Sequence, residues 1–335
     1  MQRCLDLALL GIQNAAPNPM VGSVIVHKGK IIGEGYHQKC GEAHAEVNAI
    51  ASVKDKSLLS EATLYVNLEP CAHYGKTPPC SLLIIQHKIP KVVIACIDPF
   101  AKVAGKGIAM MEKAGIEVIT GVLEKESLEL NRRFITFHEK KRPYIILKWA
   151  ESKDGFIDTT KDLPTWLTNE ESRVLVHKMR AEEAAIMVGK VAAKKDNPSL
   201  TTRSWDGPNP VRITLDRKLK LPTSHHLFDG QVPTLIFTEK EKESSPNLTY
   251  VTIDFKGDVL TQCMNYLYEN NLTSLIVEGG EILLNSFIKA GLWDEAWQFI
   301  GTSLLEAGTS APVLNATPSK KIMVKEVTLN TYYRG

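Results

Sequence analysis

Apolar positions in the first half of the chain switch repeatedly between helical spacing and short β-rich runs. Residues about 2–15 carry a helical pattern, ended by the breaker Ala16-Pro17-Asn18-Pro19. Residues 21–26 and 30–34 are β-rich and flank His27-Lys28-Gly29, a hairpin signal. The pattern then predicts a helix over 43–53, a strand over 62–68, a helix over 79–87 and a buried strand over 92–97. A helix over 107–114 and a short strand over 117–120 follow. Strands alternating with helices imply an α/β sandwich with parallel crossovers.

A charged helical stretch, 123–137, leads into His138-Glu139-Lys140-Lys141-Arg142-Pro143, whose charge density and proline suit a linker. Past it the alternation restarts. Strands are predicted at 144–148, 185–188, 211–215, 234–237, 250–253, 274–277 and 295–300, and helices at 169–181, 259–270 and 281–290. The chain therefore divides into two α/β domains, 1–140 and 144–335, as its 335 residues also suggest.

Composition narrows the class. With 44% hydrophobic residues there is material for two cores. Forty basic and 38 acidic residues leave a net charge of +2, which argues against wholesale binding to nucleic acid or a membrane surface. A local phosphate pocket stays open. Six cysteines are too sparse for a disulfide framework, so Cys4, Cys40, Cys96 and Cys263 are read as reduced thiols. The apolar run from Leu7 to Leu10 is too short to span a bilayer and lacks a cleavage pattern, so a cytoplasmic protein is expected.

The chemistry is carried by His44-Ala45-Glu46, Pro70-Cys71 and Pro79-Cys80. One imidazole and two thiolates suit Zn²⁺ and leave its fourth position for water. Each cysteine follows a proline, as at the first turn of a helix, where unpaired N–H groups and the dipole favour thiolate. A carboxylate two residues from the histidine can take a proton from that water and return it to a leaving amine. A His/Cys/Cys zinc with Glu46 as a non-ligand proton carrier is a zinc-deaminase arrangement. A structural zinc would more often have four protein ligands in tighter cysteine pairs. Gly75-Lys76-Thr77 is not a phosphate loop, because Pro70 stands where the first glycine is needed.

The string Leu68-Glu69-Pro70-Cys71-Ala72-His73-Tyr74-Gly75-Lys76-Thr77-Pro78-Pro79-Cys80 resembles the zinc loop of the bifunctional riboflavin biosynthesis deaminase/reductase family. So do Pro17 to Gly22 and the stretches Gly35-Tyr36-His37 and His44 to Val47. Eight residues between the cysteines, where the general deaminase motif has two, make the likeness discriminating. The resemblance implies a cytidine-deaminase-like three-layer domain followed by a dihydrofolate-reductase-like α/β domain. It implies hydrolytic deamination of a ribosylaminopyrimidine 5′-phosphate, then NADPH-dependent reduction of its ribosyl group. It also implies that Asn18, His37, His73, Lys76 and Asp98 line the deaminase pocket. Phe100 departs from the family's Asp-Pro-Asn-Pro at this loop.

The second half carries the resemblance on Lys148, Ser152-Lys153-Asp154-Gly155, Trp166-Leu167-Thr168, Arg180, Val188-Gly189, Asp196 to Arg203 and Val277-Glu278-Gly279-Gly280. It implies substrate contacts from Lys148, Arg180, Leu200, Arg203 and Glu278, and NADPH contacts from Trp166, Asp196 and Gly280. Ala192 and Pro164 depart from the family's more polar residues at those positions. No G-x-G-x-x-G follows a strand, so the dinucleotide fingerprint of Rossmann domains is absent. Gly279-Gly280 between a strand and a helix can still admit a pyrophosphate. No general acid stands out in this half.

Two other readings compete. A nucleoside or nucleic-acid deaminase would share the zinc motif, but the balanced charge and the second domain count against it. A zinc-stabilised binding protein has no need of Glu46. The resemblance implies a small phosphorylated pyrimidine as the ligand; neither nucleic acid nor membrane is expected as partner, and a symmetric homo-oligomer is the default assembly.

Overall fold

A computed structural model describes residues 1–74, 78–99, 104–159 and 167–334. The chain divides into two compact units, Met1–Lys141 and Arg142–Gly335. Among the described residues no helix is long and apolar enough to cross a membrane.

The first unit runs α1 (Gln2–Leu9), β1 (Gly22–His27), β2 (Lys30–Tyr36), α2 (Ala45–Ser52), β3 (Thr63–Leu68), α3 (Cys80–Gln86), β4 (Lys91–Cys96), α4 (Lys106–Lys113), β5 (Glu117–Ile119), α5 (Glu124–Leu130) and α6 (Arg132–Lys140). Its sheet has the order β2-β1-β3-β4-β5. The β1–β2 hairpin closes through Lys28 and Gly29, both at positive φ, as a two-residue type I′ turn demands. From β3 onward the strands are parallel. Alternation along β1 explains the layers: Val24 packs with Cys4 and Leu7 of α1, while Ile25 joins Ala49 and Ile50 of α2 on the other face. Ile84 of α3 and Met111 of α4 complete that second layer.

Two predicted helices differ. The pattern over 2–15 yields a helix only to Leu9, followed by turns in which Leu10, Gly11 and Ile12 donate three residues back. Gly11 lies so close to the His37 carbonyl that a Cβ there would stand 2.6 Å from its oxygen. The stretch over 123–137 is two helices, broken at Asn131. That buried side chain accepts from Met20 N at 2.8 Å and donates to Met20 O at 3.0 Å. A tertiary clamp outweighs local helical propensity here. Because α6 continues to Lys140, the link to the second unit is shorter than charge alone suggests.

The second unit contains β6 (Tyr144–Glu151), β7 (Phe156–Asp158), α7 (Glu170–Glu182), β8 (Ala185–Val188), α8 (Lys190–Asp196), β9 (Val211–Leu215), β10 (Thr234–Thr238), β11 (Leu248–Thr252), α9 (Val259–Glu269), β12 (Ser274–Glu278), α10 (Glu281–Ala290), β13 (Glu295–Ile300), β14 (Thr309–Ser310), β15 (Lys320–Val324) and β16 (Val327–Tyr333). Nine strands form one sheet, β11-β10-β9-β8-β12-β6-β13-β16-β15. It is parallel from β11 to β13 and antiparallel through β16 and β15. Central β12 is buried along its whole length, which is why it reads as a continuous apolar run. Leu275 and Val277 face α9 and α10, and Ile276 faces the layer with Met179 of α7 and Ala193 of α8. This is the dihydrofolate-reductase-like architecture. Cys4, Cys96 and Cys263 are buried thiols in these cores, and burial pushes Cys4 and Cys263 up to about 12.

Candidate functional site

In the first unit the two helix starts meet the loop that leaves β3. His44 is the N-cap of α2 in extended conformation, and Cys80 is the first residue of α3 after Pro79. Cys71 lies three residues past the end of β3. Their ligand atoms all fall within 4.8 Å of one another. His44 Nδ1 is 3.6 Å from Cys71 Sγ and 3.3 Å from Cys80 Sγ. Tetrahedral zinc with ordinary Zn–S and Zn–N bonds spaces its ligand atoms by roughly 3.6 Å, so this donor set fits zinc.

A hydrogen bond from Cys80, then His44, pulls Cys71 down despite its burial, and the Cys80 backbone N–H also donates to its sulfur at 3.2 Å. Cys80 is pushed up in turn by that partner and by burial. A coordinated dication would deprotonate both. Glu46, in the first turn of α2, is only 3% exposed. Burial, then the Cys71 thiolate, raises its carboxyl to about 7, and its side chain hydrogen-bonds Cys80. A carboxyl near neutrality suits a group that must both take and return a proton.

Asn18 and His37 stand beside this cluster. His37 Nδ1–H donates to Ala43 O at 3.1 Å and Nε2 accepts from Asn18 Nδ2 at 3.1 Å, a neutral pattern that matches the depression of its pKa by burial. Its ring lies edge-on to His44, 5.5 Å between centroids. Asn67, which sequence reasoning missed, fixes the backbone just past Asn18 by accepting from Gly22 N and donating to Met20 O. Asp98 is buried beyond β4, and His73 is exposed. Lys76 and Phe100 lie outside the described residues. Glu69 was also missed: its buried carboxylate accepts from the N–H groups of Asp98, Gly105, Gly107 and Ile108. It ties the cysteine loop to the start of α4.

In the second unit the chemistry gathers at the C-terminal ends of β6, β8 and β12, where parallel sheets hold ligands. Glu278 is in register with Lys148 and Val188. Arg180 of α7 donates to Glu278 Oε2 at 3.0 Å, and Lys148 Nζ stands 3.6 Å from Oε1. Burial would raise this carboxyl, but Arg180 and Lys148 outweigh it and hold it below the usual range. Arg180 Nε and Glu278 Oε1 are buried and have no hydrogen-bond partner among the described residues.

Two cavities share this end of the sheet. The larger, about 720 Å³, is lined by Lys148, Gly189, Ala192, Asp196, Gly279 and Gly280 among others. That volume is in the range of ligand sites. Gly279 has a φ of 124°, and a Cβ on it would press within 3.3 Å of Gly189 N; Gly280 faces open space as the N-cap of α10. Backbone N–H groups are thus accessible at a helix start, a setting that fits a pyrophosphate. Ala192 presents only a methyl group to it. The smaller cavity, about 440 Å³, is lined by Arg180, Ser199, Leu200, Arg203 and His226 among others. Ile157, Asp158 and Asp196 line both. Trp166 and Pro164 lie outside the described residues.

Three further residues escaped sequence reasoning because each is an isolated polar position. Asp158 pairs with Lys195 at 2.6 Å and, after burial, is the second cause raising Asp196. Arg212 is fully buried and bonds Thr234, Asp229, Val232, His226 O and Ser199 O, bracing the wall of the smaller cavity. His177 accepts from Arg203 N at 3.0 Å through Nδ1. Burial, then Arg180 and Arg203, lowers its pKa from 6.5 to about 4. The unfolded chain therefore binds a proton that the folded unit refuses, and stability falls as pH drops from 6.5 toward 4. Urea midpoints for the second unit at about pH 7 and about pH 5 should differ more in the wild type than in His177→Asn.

Comparison with known proteins agrees with this division of chemistry. Residues 143–332 match the RibD C-terminal domain family, and residues 1–96 match the cytidine and deoxycytidylate deaminase zinc-binding region. The chain is 43% identical over 323 residues to the riboflavin biosynthesis protein RibD of Bacillus amyloliquefaciens, covering 94% of this chain and 86% of that protein. To the protein of the same name from Aquifex aeolicus it is 41% identical over 315 residues, covering 92% and 88%. Among solved structures, a diaminohydroxyphosphoribosylaminopyrimidine deaminase/5-amino-6-(5-phosphoribosylamino)uracil reductase from Thermotoga maritima superposes with a TM-score of 0.90. It is 37% identical, over 99% of this chain and 96% of that one. With likeness over both units, the chain belongs to the RibD family of riboflavin biosynthesis proteins and is a bifunctional enzyme, a zinc-dependent deaminase joined to an NADPH-dependent reductase.

Proposed function

We propose that residues 1–140 deaminate a diaminohydroxyphosphoribosylaminopyrimidine and residues 144–335 reduce the resulting 5-amino-6-(5-phosphoribosylamino)uracil, the two compounds named for the Thermotoga maritima relative. The single observation that carries this reading is the pairing of a three-donor His44/Cys71/Cys80 cluster beside buried Glu46 with a separate two-arginine cavity in the second unit.

His44, Cys71 and Cys80 hold the zinc. Bound there, it supplies a Lewis acid that brings the pKa of water down to about 7. Glu46 takes one proton of the attacking water and delivers it to the exocyclic amine. The C–N bond breaks, oxygen stays on the ring carbon, and ammonia leaves. Asn18 and the neutral His37 orient the ring, with Asp98, His73 and Lys76 completing the pocket.

In the second unit Arg180 and Arg203 hold the substrate phosphate through guanidinium forks. Arg180 Nε, buried without a partner, is a donor waiting for such an acceptor. Lys148, Glu278 and Leu200 bound the sugar. Gly280, Asp196 and Trp166 hold NADPH, which supplies the hydride when bound. No acidic side chain is assigned to this step, and positioning carries much of the rate. The reading also takes the enzyme to be cytoplasmic and a symmetric homo-oligomer.

The test is an incubation with the deaminase substrate, first without and then with NADPH, following ammonia and cofactor absorbance separately. Ammonia should appear in the first phase and NADPH oxidation only in the second. Zinc chelation should stop the first signal yet spare NADPH oxidation when the deaminated compound is supplied. Loss of both signals on chelation would overturn the two-site division.

A further inference from the structure

Helix α7 grips the segment 199–203 at two points one turn apart. Arg180 Nη1 donates to Thr201 O at 3.1 Å, and His177 Nδ1 accepts from Arg203 N at 3.0 Å. The spacing of His177 and Arg180 puts both on one helix face. The platform is itself fixed: Asn169 caps α7 by accepting from Ser172 N and ties it to β15 by donating to Val324 O.

The gripped segment is not relaxed. Leu200, 2% exposed, has a φ of 55°, which a branched side chain adopts only when its surroundings impose it. Arg203 folds back so that its guanidinium donates to Thr201 Oγ1 at 2.9 Å and to Ser199 Oγ. Burial, then the charge of Arg180, lowers the Arg203 pKa, so two like charges are being held together. Left alone they would move apart. His177 feels both charges; it is nearly buried, and its acceptor nitrogen is turned to the Arg203 backbone. A protonated imidazole would lose that acceptor and add a third positive charge.

We propose that His177 is a positioning residue of the reductase: as a neutral hydrogen-bond acceptor it fixes the Arg203 backbone so that Arg203 and Arg180 converge on one phosphate group. This rests on the reading above that these two arginines bind the substrate phosphate. His177 itself touches neither substrate nor cofactor. It matters because the N–H of Arg203 would otherwise be left without its acceptor, and the strained turn at Leu200 would relax and carry the guanidinium away.

The experiment is steady-state reduction of 5-amino-6-(5-phosphoribosylamino)uracil by the full chain and its His177→Leu, His177→Asn and Arg203→Ala variants. NADPH binding, followed by fluorescence, reports that the second unit is folded. His177→Leu should raise KM for the phosphorylated substrate roughly tenfold, the cost of one lost hydrogen bond, with kcat changed far less. The Ki of inorganic phosphate as a competitive inhibitor should weaken in step. His177→Asn, whose Oδ1 can take the place of Nδ1, should restore KM toward the wild-type value. Wild-type KM in His177→Leu together with a raised KM in Arg203→Ala would overturn the positioning role and leave the phosphate reading standing. Unchanged KM in Arg203→Ala would overturn that reading and the proposal with it. If His177→Leu cannot bind NADPH, His177→Asn decides: near-wild-type KM supports the role, and a KM as high as that of Arg203→Ala overturns it.

Discussion

Replacing Glu46 with glutamine is expected to slow ammonia release by about 10²- to 10⁴-fold while zinc content, and NADPH oxidation with the deaminated compound supplied, hold. The substitution keeps volume and shape at a site that is 3% exposed, so it opens no cavity. The metal should stay because its donors are His44, Cys71 and Cys80, which already lie within 4.8 Å of one another without Glu46. What disappears is a group able to hold a proton. An amide cannot accept one from water and hand it to an amine. Metal analysis and an ammonia assay on the same preparation check the result. Retained turnover would remove Glu46 from the mechanism, and loss of zinc would make it structural.

Arg180→Ala should do two things at once in the second unit. It removes a partner of Glu278, a buried carboxylate that Arg180 and Lys148 keep ionised against the cost of burial. Breaking a buried ion pair from one side costs about 3–5 kcal/mol, because the other charge stays buried and underpaired. The unfolding transition of the second unit should move accordingly, and the first unit's should not. The acid response should change as well. In the wild type Glu278 ionises below the usual carboxylate range, so its contribution persists at neutral pH and is lost only as pH falls through that depressed value. Without Arg180 the carboxyl rises and the loss begins at higher pH. At the same time KM for the phosphorylated substrate should rise. Adding Glu278→Gln should return part of the stability and none of the substrate affinity. A variant as stable as the wild type, measured by urea unfolding, would contradict this account of Glu278.

The zinc cluster was legible in the sequence because its chemistry depends on residue type at close spacing. His44, Glu46, Cys71 and Cys80 could be named together, and the proline before Cys80 announced the start of α3, whereas Cys71 after Pro70 lies in the loop that follows β3 and not at a helix start. Strands of the parallel sheets were legible for a similar local reason: a strand buried on both faces has no polar positions to interrupt it. The edge strand β15 was missed because its residues are largely exposed, so it carries no burial pattern. Helix α8 was missed because seven residues with one buried position leave almost no periodicity. Asn67, Asn131, Glu69 and Arg212 were invisible for another reason. Each is a single polar residue whose partners, backbone groups and for Arg212 also the side chains of Thr234 and Asp229, lie up to 111 positions away, and only the fold brings them together. His177 belongs with them.

Ile157, Asp158 and Asp196 line both cavities of the second unit, so the two meet at these residues. A ligand in either cavity meets the same three residues, two of which already interact, since Asp158 raises the pKa of Asp196. The affinities of the two ligands are therefore thermodynamically linked, and the factor by which the first alters the second equals the factor by which the second alters the first. Three shared side chains thus make each affinity a property of the pair and of neither ligand alone.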